Sequence, residues 1–494
     1  MSLPLLNRAL VQSKAFQART DVGVPAPGLL ELPERAVQFG TGAFLRGFVE
    51  PLLDEANRAG RFNGRVVMVG STGSGRDRVL AEQDGLYTLS VQGIDGGAEV
   101  HEQRVIGCVS RALSARDEWD AVLAVARDPG IALVFSNTTE VGIVLDEGDR
   151  PDLSPPRSFP GKLTRFLLER ATAFDFDPAR GVVVLPCELI DDNGDRLREI
   201  VLALAARWAL DPRFAEWIRA AVPFASTLVD RIVPGTPGPA DLAAAEAELG
   251  YRDGLLTVAE SYRLFAIQGD DALRARLPFA GLPGVVVTGD VAPYRERKVR
   301  MLNGAHTATA CAALLCGCET VLDALRHPLL GPFLHRVMLD EIVPTLDAPG
   351  SERYAHQVLD RFANPYLRHA LVDITLQQTM KMRVRVVPTI LRCAERNGRA
   401  PEALAFGFAA YLRFVWEGRG LADDQAERVR AHRASHAADP EAAATACADA
   451  ELWGADLSRV PGFCAAVSGA LAGMRLLGVA EALEQHLGAA ARAA

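Results

Sequence analysis

Short apolar runs without polar alternation recur through the first part of the chain, and segments with helical spacing lie between them. Arg35–Phe39 reads as a strand closed by Gly40, and Val66–Val69 as a second closed by Gly70. Ile131–Phe135 and Val182–Leu185 read as two more. Phe44, Phe48, Leu52 and Ala56 recur every four residues, which predicts a helix over Ala43–Arg58. Asp117–Ala126 and Lys162–Ala173 have the same character. Strands that are apolar throughout are buried on both faces, as in a parallel sheet covered by helices. The run Pro234-Gly-Thr-Pro-Gly-Pro239 interrupts regular structure, and Val285–Val287 is a last strand candidate. From about residue 295 the pattern is helical and rich in Ala, Leu and Arg, with no repeat of fixed period. The expectation is an α/β fold: a dinucleotide-binding domain over 1–290, then a mostly helical substrate and catalytic domain over 291–494.

Composition narrows the function. A chain of 494 residues exceeds one ordinary core, which fits two domains. Hydrophobic residues at 49% and charged residues at 23% fit a soluble globular protein. A net charge of -9 argues against nucleic acid or an anionic membrane as the main partner, and leaves room for a local basic patch that holds a small anion. The first residues lack a signal-peptide pattern, and no apolar run is long enough to span a bilayer. Eight scattered cysteines, of which only Cys316 and Cys318 are close neighbours, suit reduced thiols in a cytoplasm. His432 and His436, with Glu427 nearby, read as a surface helix, so no metal is expected. A monomer or small homo-oligomer is expected.

Two local features carry chemistry. The first is Phe39-Gly40-Thr41-Gly42-Ala43-Phe44, a strand, a Gly-x-Gly turn and a helix. Gly40 allows the tight turn, and Gly42 lets backbone approach a pyrophosphate. The third glycine, Gly47, comes two positions later than in the usual fingerprint. The expected cofactor contacts are Phe39, Gly40, Gly42, Ala43 and Phe44, with Ser71 after the second strand and Asn137 and Thr138 after Phe135. An acid at the end of the second strand would favour NAD, but Gly70–Arg76 contains none. Ser71, Thr72 and Arg76 suit a 2′-phosphate equally well, so the residues leave NAD and NADP open.

The second feature is Lys298 to His306, which places an amine, an amide and an imidazole within nine residues. Reduction of a carbonyl needs a proton donor and hydrogen-bond donors at its oxygen. Asn303 and His306 are three apart and share a helix face. In an unbroken α-helix Lys298 and His306 would stand about 12 Å and 80° apart. A lysine acting as acid needs its pKa lowered by burial or by cations, for which Arg295, Arg297 and Arg300 are candidates.

The motif Lys298-x-x-x-x-Asn303-Gly304-x-His306 resembles the signature of the polyol-specific long-chain dehydrogenases, the mannitol dehydrogenase family. Gly40–Arg46, Asp84–Thr88 and Ser226–Ile232 resemble its other blocks. Phe135–Glu140, Pro186–Asp191 and Tyr294–Lys298 are most similar to its hexuronate-reducing members. The resemblance implies a Rossmann-like first domain, a helical second domain and no catalytic metal. It implies NAD as cofactor, Lys298 as general acid/base, and Asn303 and His306 polarising the carbonyl. Asp230 would bind substrate hydroxyls. The chain departs from the family at Cys187-Glu188-Leu189, where polyol enzymes carry Cys-Asp-Asn, so the second oxyanion donor is missing. Asn193 is near but not at the matching position.

A hexuronate carries a carboxylate that a hexitol lacks, and its site needs a cation. The basic cluster Lys381-Met382-Arg383-Val384-Arg385 supplies the candidates, Lys381 and Arg383 foremost, with Arg368 as another, and Lys381 matches a lysine of the uronate-reducing members. The implied reaction is NAD-dependent reduction of a keto-hexuronate, with a different uronate epimer or a hexitol as alternative substrates. A non-catalytic sugar-acid or nucleotide sensor is the alternative of a different class.

Overall fold

The computed structural model describes residues 3–71, 75–138, 142–420, 422–434 and 439–491. Its strands run β1 Glu34–Phe39, β2 Arg65–Gly70, β3 Tyr87–Asp95, β4 Ala98–Ile106, β5 Val109–Ser114, β6 Leu133–Ser136, β7 Val183–Pro186, β8 Thr227–Asp230, β9 Thr257–Glu260, β10 Leu264–Gln268 and β11 Val285–Thr288. Five of them form a parallel sheet in the order β5-β2-β1-β6-β7. Two three-stranded sheets, β11-β10-β8 and β4-β3-β9, accompany it.

Alternate residues of the parallel strands feed two different cores, which is why their sequences look apolar throughout. Val37, Phe39, Val67, Val69, Val134 and Val184 face one cluster with helices Trp119–Ala126, Phe159–Ala173, Asn193–Arg207 and Pro212–Ala221. Ala36, Val66, Met68, Leu133, Phe135, Val183 and Leu185 face the other, with Phe48, Leu52 and Ala56 and the β8–β11 layer. Strand order reverses at β1, which has β2 on one side and β6 on the other. In open parallel sheets such a reversal leaves a crevice at the carboxyl ends of the two strands.

The helix expected over Ala43–Arg58 is broken. One turn, Ala43–Arg46, ends at Gly47, and a second helix runs Val49–Arg58. Buried Arg46 causes the break, because its own groups are claimed by other segments. Its guanidinium bonds Thr257 Oγ1 at 3.2 Å, and its carbonyl accepts from Tyr87 Oη at 2.7 Å. Gly47 then packs flat on Val233. Pro239 opens helix Pro239–Leu249, at the one helical position where a missing amide costs nothing. Strand β5, at one end of the sheet, was not predicted: it is an edge whose Ser110, Arg111 and Ser114 are not buried.

By contacts the chain divides into Met1–Gln92 with Glu99–Val291, and Gly93–Ala98 with Ala292–Ala494. The second unit is helical apart from the hairpin tip at 93–98. Among the described residues three of its segments have π winding, Lys298–Gly304, Arg336–Ile342 and Met382–Val386. Among the described residues no helix is long and apolar enough to cross a membrane.

Glu50 is fully buried beside β1 and accepts from Gln38 Nε2 at 2.8 Å. Burial pushes its carboxyl up to about 7. The folded state therefore holds this proton more tightly than the unfolded chain does. Glu50 contributes its stability below the ordinary carboxylate range and loses it as pH rises through about 7. Thermal unfolding of the wild type should fall between mildly acidic and mildly alkaline pH. E50Q should flatten that slope and be more stable at the alkaline end by about 1–2 kcal/mol. Parallel curves for the two proteins would refute this account of Glu50.

Candidate functional site

In the first unit, the carboxyl ends of β1, β2 and β6 carry the residues expected to hold a dinucleotide. The Gly40 amide donates to Val69 O at 2.9 Å. Its φ of +119° and a distance of only 3.2 Å from a Cβ there to Asn137 O restrict the position to glycine. A Cβ on Gly42 would meet nothing within 4 Å, so this backbone faces open space where a phosphate would approach. These features fit a dinucleotide. The Phe39 side chain lies in the core between Phe159 and Phe166, so only its backbone borders the turn. Phe44 stacks on Phe48 at 5.1 Å. Ser71 is exposed at the end of β2, and Thr72, Gly73 and Ser74 lie outside the described residues.

The strand-end acid that Gly70–Arg76 lacks is supplied by the next residue. Asp77 Cβ lies 3.9 Å from the Cβ position of Gly70, on the helix that follows β2, and is only partly buried. Inspection of the strand end alone does not find it, because it lies on the helix that follows.

The turn after β6 is pinned by β7. Asn137 Nδ2 donates to Cys187 O at 2.7 Å, and the Thr138 amide donates to Glu188 Oε1 at 2.9 Å. Ser136 Oγ and Thr138 Oγ1 also donate to Glu188. Burial raises the Glu188 carboxyl, and the hydrogen bonds from Thr138 and Ser136 pull it back toward the ionised form. Thr139 and Glu140 lie outside the described residues. Leu189 is 60% exposed. Asn193 is buried and bonded to Pro186, Glu188 and Thr227, so it braces the strands and has no amide left for a substrate. Asp230 is buried at the end of β8, opposite Leu264 of β10.

In the second unit, Lys298–Gly304 is wound as a π-helix and continues into the α-helix Ala305–Leu315. With backbone bonds closing five residues apart, Lys298 and Asn303 stack on one side, where an α-helix would set them well apart. Thr307 Oγ1 donates to Asn303 O at 2.7 Å and satisfies a carbonyl at the change of winding. The π segment Met382–Val386 packs against this one: a Cβ at Gly304 would stand 3.1 Å from Arg385 O. The glycine of the motif is therefore a contact point between two backbones.

His306 is buried, stacked on Phe362 at 3.9 Å and edge-on to His369 at 4.8 Å. Its Nε2 has no hydrogen-bond partner. Burial, followed by His369, Arg361 and Arg385, holds its pKa well below the usual histidine value. It is a neutral imidazole with one buried polar atom unpaired, a costly state that a ligand oxygen would relieve. The cations named beside Lys298 have partners of their own. Arg297 lies over the rings of Tyr294 and Tyr354 and donates to Pro349 O, and Arg300 pairs with Glu296 at 2.8 Å.

The three basic residues expected to meet a carboxylate are not gathered at His306. Arg368 is 81% exposed and faces Glu319 at 3.6 Å. Arg383 is exposed and reaches toward Glu451 O. Lys381 Nζ donates to Ile374 O at 2.9 Å. His369, next to Arg368, lies edge-on to His306, and Arg385, two residues beyond Arg383, reaches Thr307 beside it. Side-chain direction in a π segment was the missing information. His432 Nε2 sits 3.1 Å from Asp449, and His436 lies outside the described residues. Among the described residues no group of three His, Cys, Asp or Glu gathers to hold a metal ion. All eight cysteines are unbridged.

Known proteins share both units. Residues 34–281 match the mannitol dehydrogenase Rossmann domain, and residues 290–475 the mannitol dehydrogenase C-terminal domain. Altronate oxidoreductase of Bacillus subtilis (strain 168) is 42% identical over 92% of this chain and 96% of its own. Altronate oxidoreductase of Escherichia coli (strain K12) is 40% identical over 92% and 97%. Mannitol 2-dehydrogenase of Pseudomonas fluorescens, solved with NAD and D-mannitol, is 26% identical with a TM-score of 0.67, covering 98% of this chain and 99% of that one. A D-sorbitol dehydrogenase in substrate-free form is 25% identical with a TM-score of 0.76, covering 97% and 100%. With both domain models matched in order along the chain, this protein belongs to the mannitol dehydrogenase family of oxidoreductases that act on CH–OH groups.

Proposed function

We propose that the chain catalyses the reversible NAD-dependent reduction of a keto-hexuronate, tagaturonate to altronate. The observation that carries this reading is the buried, unpaired Nε2 of His306 in the first turn of the α-helix that continues the π-wound segment of Lys298 and Asn303. Identity of about 40% to altronate oxidoreductases over nine-tenths of the chain supports the substrate. The solved complex of the mannitol relative with NAD supports the coenzyme, as does Asp77 at the end of β2, where a carboxylate accepts from ribose hydroxyls and repels a 2′-phosphate.

When bound, the dinucleotide supplies hydride to the ketone carbon or takes it back from the alcohol. Asn303 Nδ2 and a neutral His306 presenting Nε2–H hold the ketone oxygen, where negative charge grows as the carbonyl is reduced. Lys298 hands that oxygen a proton, and removes it in the reverse direction. Asp230 accepts from a substrate hydroxyl. Glu188 keeps the turn at Asn137 and Thr138 in shape and takes no part in the proton transfer. Unbridged cysteines suit a cytoplasmic setting.

Lys298→Ala should lower kcat for tagaturonate by roughly 10²- to 10⁴-fold, with partial rescue by added primary amines. KM should move little. The check is the loss of reduced-nicotinamide absorbance under saturating substrate. A K298A enzyme of normal kcat would sink the assignment of the proton donor, and a wild type inert toward every keto-hexuronate would sink the substrate.

The wild type should prefer NADH to NADPH. D77A should shrink that preference by roughly 10- to 100-fold, the worth of one or two hydrogen bonds to a charged group. Steady-state kinetics with both coenzymes measure it. Faster turnover with NADPH would overturn the coenzyme reading.

A further inference from the structure

A half-buried guanidinium needs a partner, and Arg385 has none of opposite charge. It lies on the π segment that touches Gly304, and its Nη1 makes a single long bond, 3.4 Å, to Thr307 Oγ1. No described carboxylate pairs with it. Burial lowers its pKa and nothing acidic raises it again. Its charge is felt by His306, the neighbour of Thr307. A cation removed from water and left without an anion is costly unless an anion arrives.

In a linear keto-hexuronate the ketone and the carboxylate are separated by four carbon–carbon bonds, about 5 Å when extended. The cation that reads the acid must then stand close to the groups that hold the ketone. Arg368 and Arg383 are directed to Glu319 and Glu451. Arg385 touches the residue next to His306. We propose that the Arg385 guanidinium binds the substrate's carboxylate and so selects sugar acids over neutral sugars. This rests on the hexuronate reading above. The arrangement has a second consequence. Arg385 donates to Thr307 Oγ1, and Thr307 donates to Asn303 O, so an anion drawn to the guanidinium is held in register with the residue that grips the ketone.

The test uses the full-length enzyme with Arg385→Met and Arg385→Lys. For tagaturonate, KM should rise roughly 10²- to 10³-fold in R385M with kcat little changed, because a charge pair shielded from water is lost. R385K should recover part of it, lacking only the two-pronged geometry. Altronate affinity by calorimetry should fall in parallel, and melting temperatures should stay close to wild type. An R385M enzyme with wild-type KM and altronate affinity would overturn the proposal, as would a kcat loss with unchanged KM, which marks a structural role. A wild type that binds altronate but turns over no keto-hexuronate would remove the function proposed above, while calorimetry would still read the carboxylate site. A wild type that binds no altronate would overturn both. If R385M simply unfolds, R385K with wild-type stability decides: unchanged affinity would overturn the proposal, and a drop would support it.

Discussion

The contact between backbones at Gly304 and Arg385 is the constraint on which the second unit's site depends. Two π-wound segments approach until a single methyl group would press on a carbonyl at 3.1 Å. That approach covers one side of the segment carrying Lys298, Asn303 and His306. It also delivers Arg385 to Thr307 and sets the winding that lines Lys298 up with Asn303. Wide helical turns bind their backbone less well than α turns and persist where packing over-determines them. Here Thr307 Oγ1 repairs the carbonyl left at the change of winding.

The second unit holds polar groups buried with fewer partners than they could use. His306 keeps an unpaired Nε2, and Arg385 lacks an anion. These are deficits that a substrate with a carbonyl oxygen and a carboxylate would fill, and they cost folding stability until it binds. The first unit treats its buried carboxylate differently. Glu188 is supplied with hydrogen bonds from Ser136 and Thr138 and serves as the brace of a turn. The contrast separates groups set aside for a ligand from groups spent on the scaffold.

The departure from the polyol enzymes at Cys187-Glu188-Leu189 has a physical meaning in this setting. An exposed Leu189 donates no hydrogen bond, and Asn193 is fully engaged by Pro186, Glu188 and Thr227. On the function proposed above, the oxyanion donors would be Asn303 and His306 of the second unit. A substrate anchored by its carboxylate needs fewer contacts at the ketone to be oriented, because one charge-assisted bond replaces several weak ones.

The parallel sheet, its glycine turn and the helical second half were readable in the linear chain, because burial on both faces leaves unbroken runs such as Val66–Val69. The motif from Lys298 to His306 was equally plain, as was the family it resembles. The edge strand β5 escaped notice since an edge tolerates Ser110 and Arg111, and the break at Gly47 escaped because it depends on Thr257 and Tyr87, far away in the chain. Asp77 was passed over, and Arg385 was legible only as one member of a basic cluster, for the same kind of reason. Tertiary packing and a π turn decide where those side chains point, and local spacing carries no record of either. Residue types set which chemistry is available here; the contacts between distant segments choose which arginine, which acid and which histidine nitrogen are placed to use it.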